Sequence, residues 1–414
     1  MKTTKSNCYS AKWVRGRATA FSVLCLLGLG IEACGSDEDG APEVEVATDT
    51  GIDAGSPASD RDMGVDTGSP DSGLDLGAGE SPAFQELYNQ GIDKYLGRFS
   101  PASIEEGGGG VTSYLFSDED RGPVCFTGSE FRMSTRDGSG DGLMIFLQGG
   151  GACGPTNCDA VDTAGSGGIP PFGVLSSSNP ANPAARLDVG YLPYCDGSLW
   201  SGDRDTDSND DGVDDRLFRG LQNLSASLDV IESRYPAPSR IFLTGNSAGG
   251  FGVHMALPLV RKLYPGVAIE LVNDSGPGIS TPGSQQALND YWNAGAFYPA
   301  SCDTCIGDDG HLTDYHAYQL AEDPDLRMGI MSYKQDGVIL ERSPLDGPAY
   351  EAALLQAMAE LRDAYPVRFR SFIADGDGHT FILRDYERVV GGTTVREWIE
   401  ALLGGGESWV SVIE

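Results

Sequence analysis

An α/β fold built on a mostly parallel central sheet, with helices on both faces and inserted loops, is what residues 82–414 of this 414-residue chain predict. Three observations carry that reading. Short apolar segments at residues 143–147, 240–244, 267–272, 328–333 and 367–374 alternate with helical patterns, as strands of a parallel sheet covered on both faces do. Most of them run out into loops rich in Gly, Asn, Asp or Ser, and an open α/β sheet carries its reactive groups at strand C-termini. Finally, Ile241-Phe242-Leu243-Thr244 runs into Gly245-Asn246-Ser247-Ala248-Gly249 and then a helix from about 250 to 263, a strand-turn-helix unit with one serine at its turn.

The elements follow in order. Lys2, Lys5, Lys12, Arg15 and Arg17 precede an apolar stretch at 18–31 that is too short to span a bilayer comfortably, and Ile31-Glu32-Ala33-Cys34 comes next. Residues 1–33 resemble a lipoprotein-type signal, in which Cys34 becomes the lipidated first residue; plain secretion after cleavage nearby is the alternative. Either way the chain is expected to be exported, as a cell-envelope lipoprotein of the outer membrane or as a secreted protein. Residues 34–81 are mostly Gly, Ser, Pro, Thr, Asp and Glu, with Arg61 the only base and no aromatic residue, so this stretch cannot bury enough surface to offset its ordering entropy. It reads as an acidic tether to a catalytic body at 82–414. Within that body the strand at 143–147 leads into Gln148-Gly149-Gly150-Gly151, and a helix over 217–234 is stopped by Pro236. The strand at 267–272 ends in Asn273-Asp274-Ser275-Gly276. Residues 284–299, with Trp292, Phe297 and Tyr298, read as an insertion over the sheet edge whose aromatics either line a pocket or pack a cap. The strand at 328–333 stops at Lys334-Gln335-Asp336-Gly337, a helix covers 350–364, and the strand at 367–374 leads into the loop of His379.

Without residues 1–33 the chain carries 23 basic and 60 acidic groups, which argues against a nucleic-acid partner or a basic membrane-binding face. Outside the signal and Cys34 there are six cysteines, an even number suited to disulfides in an exported chain. Proximity pairs Cys153 with Cys158 and Cys302 with Cys305, leaving Cys125 for Cys195. The competing reading joins Cys302 and Cys305 to His311 and His316 in a metal site.

A serine hydroxyl is a weak nucleophile until a base takes its proton and a carboxylate orients that base. Of the four histidines, His254 falls inside the helix after Ser247, and His311 and His316 precede the strand at 328–333. His379 alone follows the last core strand, where the order serine, acid, histidine puts the base. Asp336 is the preferred acid and Asp274 the alternative, both at strand ends. Glycines after the strand at 143–147 allow backbone N–H groups to approach a substrate oxygen, so Gly150, Gly151 and Ala248 are the expected oxyanion donors.

Leu147-Gln148-Gly149-Gly150-Gly151-Ala152-Cys153, Tyr194-Cys195-Asp196-Gly197-Ser198-Leu199-Trp200-Ser201-Gly202-Asp203, Phe218-Arg219-Gly220, the turn around Ser247 and Asp274-Ser275-Gly276 together resemble the pectin acetylesterase and Notum family of carboxylesterases. The resemblance implies an α/β-hydrolase-like fold and hydrolysis of an ester substrate, such as an acetylated polysaccharide, through Ser247, Asp336 and His379, with no cofactor for catalysis. Gln148 stands where the family usually has Glu, and the family's tryptophan near Ala152 is missing; together these departures imply a wider pocket mouth and a different substrate. Lipase, polyester depolymerase and thioesterase chemistry, or a binding protein on the same fold, are the rival readings. An acidic loop departs from the family pattern: Asp205, Asp207, Asn209, Asp211 and Asp215 resemble the calcium loops of thrombospondin type 3 repeats, which implies a structural calcium.

Overall fold

The computed structural model describes residues 83–165, 168–306 and 311–414. The signal, Cys34 and the whole tether fall outside them. The chain divides into two units, Met1–Asp75 and Leu76–Glu414, and every described residue belongs to the second.

Its strands are β1 (Ser103–Glu106), β2 (Val111–Phe116), β3 (Phe131–Arg136), β4 (Leu143–Leu147), β5 (Asp188–Leu192), β6 (Arg204–Thr206), β7 (Arg216–Phe218), β8 (Ile241–Asn246), β9 (Ile269–Asp274), β10 (Leu326–Tyr333), β11 (Phe369–Ala374), β12 (Val389–Val390), β13 (Thr393–Thr394) and β14 (Val412–Ile413). Among the described residues the helices are α1 (Gln85–Asn89), α2 (Gly220–Arg234), α3 (Ala248–Leu263), α4 (Ser284–Trp292), α5 (Thr313–Glu322), α6 (Gly337–Leu340), α7 (Gly347–Ala364) and α8 (Val395–Leu403), with short 3₁₀ turns between them. Ten strands form one sheet in the order β1-β2-β3-β5-β4-β8-β9-β10-β11-β14. The pairs from β1 to β5 are antiparallel and those from β5 to β14 are parallel. The fold is α/β-hydrolase-like.

Side chains alternate across a strand, and here both faces are covered. Leu143, Ile145 and Leu147 of β4, with Ile241 and Leu243 of β8, join one core with α2, α3 and α7. Met144, Phe146 and Phe242 face a second core that α8 closes with Trp398 and Ile399. Burial on both sides is why the central strands read as unbroken apolar runs.

The register aligns the strand ends. Leu147 pairs with Gly245, Asn246 with Asp274, and Tyr333 with Ala374. The loops bearing Gly149-Gly150-Gly151, Ser247, Asp274, Asp336 and His379 therefore leave the sheet along one edge. Among the described residues three disulfides form: Cys153–Cys158 and Cys302–Cys305, the pairs that proximity suggested, and Cys125–Cys195 from the two left over. The Cys302–Cys305 bond removes the two thiols that the metal reading required.

Candidate active site

β8 is buried from Ile241 to Gly245 and half-buried at Asn246, and Ser247 takes φ 56° and ψ −121° before α3 begins at Ala248. A non-glycine residue in that region is strained, at a cost of roughly 1–3 kcal/mol, and persists only where its neighbours hold it. The close approach of β4 does so. A Cβ on Gly249 would lie 1.9 Å from the Leu147 carbonyl oxygen, and one on Gly245 2.4 Å from that of Gly249. Only glycine fits at either position, and the tight turn pushes Ser247 out above the sheet.

His379 Nε2 lies 2.8 Å from Ser247 Oγ, and its Nδ1 lies 2.8 and 2.9 Å from the two carboxylate oxygens of Asp336. An ionised carboxylate only accepts, so Nδ1–H donates to it and Nε2 is left to accept the serine proton. Asp336 is fully buried and also caps α6, accepting the N–H groups of Val338 and Ile339 at 3.1 Å. Those added bonds hold the carboxylate's orientation. Asp274, the other candidate acid, faces the backbone N–H groups of Phe381 and Ile382 instead.

Gly151 and Ala248 line a cleft beside Ser247, and their N–H groups make none of the hydrogen bonds found among the described residues. Ala248 also opens α3, whose N-terminal dipole favours a developing negative charge. Gly150 N–H likewise makes none of the hydrogen bonds found among the described residues, while its carbonyl accepts Val161 N–H at 2.7 Å. The cleft has about 140 Å³ of internal room, and Leu199, Phe251, Ile279, Leu288, Val338 and Ile339 make its walls largely apolar. Its rim carries an ion pair between Arg342 and Asp159.

Two further groups shape this cleft. Asp196, wholly buried, accepts the N–H of Ser198 at 2.8 Å and of Trp200 at 3.2 Å, and burial pushes its pKa up to about 6. The turn it organises holds Leu199 and Trp200 at positive φ, with the indole Nε1–H donating to the Gln148 carbonyl at 3.3 Å below the glycine loop. Gln148 itself turns its side-chain oxygen to Tyr194 N–H.

The aromatics of residues 284–299 pack rather than line the cleft. Trp292 and Phe297 are buried, and it is Gln285 and Leu288 of α4 that reach the cavity. His254 is buried as well, stacked on His316 with ring centroids 3.9 Å apart and bonded to Gln319 and Asn273. His311 accepts Ser280 N–H at 3.1 Å. In the acidic loop, Asp205 is turned away to Arg219 and Arg121. Asp207 accepts the N–H groups of Asn209, Asp211 and Gly212, and Asp215 accepts from Ser208 and Asn209. Asp211 accepts Val213 N–H, and Asn209 accepts that of Asp211. Among the described residues no three His, Cys, Asp or Glu side chains converge as a metal set.

In comparison with known families, residues 108–292 fit the pectinacetylesterase family model. Over that segment the chain is similar to the pectinacetylesterase family. That likeness points to an acetylesterase-type ester hydrolase. No curated protein matches the chain. The matched segment holds Gly149-Gly150-Gly151, the turn around Ser247 and Asp274, and ends ahead of Asp336 and His379. Beyond the matched segment the parallel strands β10 and β11 carry those two residues back to the serine.

Proposed function

We propose that this chain is an exported serine carboxylesterase that hydrolyses acetyl or other short acyl esters, with polysaccharides as the carrier of those esters. The observation that carries the reading is the unbroken chain from Ser247 Oγ through His379 to Asp336, set on a strained turn beside two free backbone donors.

The steps follow from the geometry. Ser247 Oγ attacks the ester carbonyl carbon while His379 Nε2 takes its proton, and Asp336 stabilises the imidazolium that forms. The carbonyl oxygen, now negative, is met by the N–H groups of Gly151 and Ala248, and one such donor is worth about 3 kcal/mol in the transition state. Collapse expels the alcohol, which leaves with the proton held on His379. A water then attacks the acyl-Ser247 ester, giving its proton to His379, and release of the carboxylic acid returns that proton to Ser247.

The apolar cleft suits the hydrocarbon part of the acyl group, and the sugar side then faces the rim. Export through residues 1–33 and anchoring at Cys34 belong to the same proposal, and three disulfides support an oxidising compartment. The test is a chain-length series of nitrophenyl esters beside acetylated xylan and pectin. Acetate release from a polysaccharide, with kcat/KM falling as the acyl chain lengthens, supports the reading. A maximum at long chains with no acetate release assigns the site to a lipase or thioesterase, and turnover of none of these substrates points to a binding protein.

A further inference from the structure

Asp274 is a fully buried carboxylate that the reaction steps above do not use. Its oxygens accept Phe381 N–H at 2.8 and 3.0 Å, Ile382 N–H at 2.9 Å and the Ser275 hydroxyl at 3.1 Å. Ser275 Oγ in turn accepts Thr380 N–H at 3.0 Å. The two residues thus bind the three consecutive backbone N–H groups that directly follow His379.

The same pair grips the other half of the site. Ser247 N–H donates to the Asp274 carbonyl at 2.7 Å, and Ser275 N–H donates to Met331 on β10 at 2.9 Å. Nucleophile and base come from loops 132 residues apart, and β9 lies between their strands in the sheet on the β8 side. One dipeptide at the end of β9 touches both. Backbone strain is gathered here too: Ser275 has φ 64° and Thr380 has φ 65°. A β-branched threonine holds that conformation only when its surroundings over-determine it.

Burying a carboxylate costs several kcal/mol before its bonds offset the loss, and burial raises this one to about pH 6. A neutral, well-packed residue would serve a purely structural corner at lower cost. What an ionised carboxylate adds is acceptor capacity on both oxygens with no donor of its own. That matches a cluster of backbone N–H groups.

We propose that Asp274 and Ser275 are positioning residues: together they clamp the loop of residues 379–382 onto the turn of Ser247 and so set His379 Nε2 at hydrogen-bonding distance from Ser247 Oγ. The proposal rests on the function proposed above. Asp274 acts through His379 and touches no reacting atom.

The experiment is a double-mutant cycle on the full chain with nitrophenyl acetate as substrate. Asp274→Asn places an amide donor against the N–H groups of Phe381 and Ile382. Displacing a catalytic group by ~1 Å lowers rate on the order of 10²-fold, so kcat should fall by that order with KM held within about twofold. In a His379→Ala background the same change should alter kcat by less than about twofold, because the group it positions is gone. Ser275→Ala reads the same loop through Thr380, should lower kcat less, and decides the matter if Asp274→Asn fails to fold. Equal losses in both backgrounds, or a rise in KM with kcat intact, would overturn the clamp. If Ser247→Ala or His379→Ala alone leaves hydrolysis unchanged, the serine esterase reading itself has failed, and the two failures are told apart.

Discussion

Acid should weaken the fold through the buried, stacked pair His254 and His316, both held below the ordinary imidazole range by burial, and the share of His254 can be worked out. His254 is packed behind the active-site turn between α3, the stacked ring of His316 and the side chains of Gln319 and Asn273. Burial lowers its pKa from 6.5 to about 4. Between those values the unfolded chain binds a proton that the folded chain refuses. Stability present above pH 6.5 is therefore lost as pH falls toward 4. Integrated from pH 7.5 to 4.5, that histidine costs about 2–3 kcal/mol. Asp196 and Asp274, raised to about 6, work in the opposite sense: their neutral forms are favoured in the folded state, so they add relative stability as pH falls through 6 toward the ordinary carboxylate range. The whole-chain pH curve mixes these terms, and a difference isolates the histidine. Urea denaturation of wild type and His254→Gln at pH 7.5 and 4.5 should show the wild type losing about 2–3 kcal/mol more than the variant. Parallel losses in the two proteins would refute the argument, because His254 would then titrate alike in both states.

Other predictions concern the site and its supports. Asp336→Asn should lower kcat on the order of 10⁴-fold with the fold intact, because an amide favours the wrong imidazole tautomer; steady-state kinetics with nitrophenyl acetate check it, and a loss under tenfold would remove Asp336 from the triad. Replacing Cys125 and Cys195 by serine opens a link across a sequence separation of 70 residues and should cost about 4 kcal/mol on the chain-entropy account, read by urea titration under oxidising conditions. Since the oxygens of Asp207 and Asp215 already accept N–H and O–H groups of their own loop, EDTA should leave Tm unchanged. A fall in Tm that calcium but not magnesium reverses would show that the loop rearranges around an ion.

The central sheet was legible because parallel strands covered on both faces must be apolar throughout, as Leu143–Leu147 is. The antiparallel strands β2 and β3 went unread. Their residues, Val111–Phe116 and Phe131–Arg136, mix serine, threonine and arginine with apolar positions and show no unbroken run. The helix read from 217 begins at Gly220, since Leu217 and Phe218 belong to a two-stranded ribbon whose apolar pair imitates a helix start. α8 has a signal legible in sequence, since Thr394 and Glu397 form a capping box ahead of an apolar face. Ser247, His379 and Asp336 could be placed because reactive groups gather at strand ends. The bonds of Asp274 could not, because its partners are backbone N–H groups more than a hundred residues away. No side-chain type marks such a partner in a sequence. The role of Trp292 was likewise open until its indole N–H was found donating to the Cys153 carbonyl at 2.7 Å, inside the core.

The central claim is that Ser247 forms the covalent acyl intermediate with His379 as its base. Peptide mapping by mass spectrometry after a short exposure to a fluorophosphonate tests it most directly. The account predicts one adduct, on the peptide containing Ser247, absent in Ser247→Ala and formed orders of magnitude more slowly in His379→Ala. An adduct on another residue, or ester hydrolysis that persists in Ser247→Ala, would contradict it.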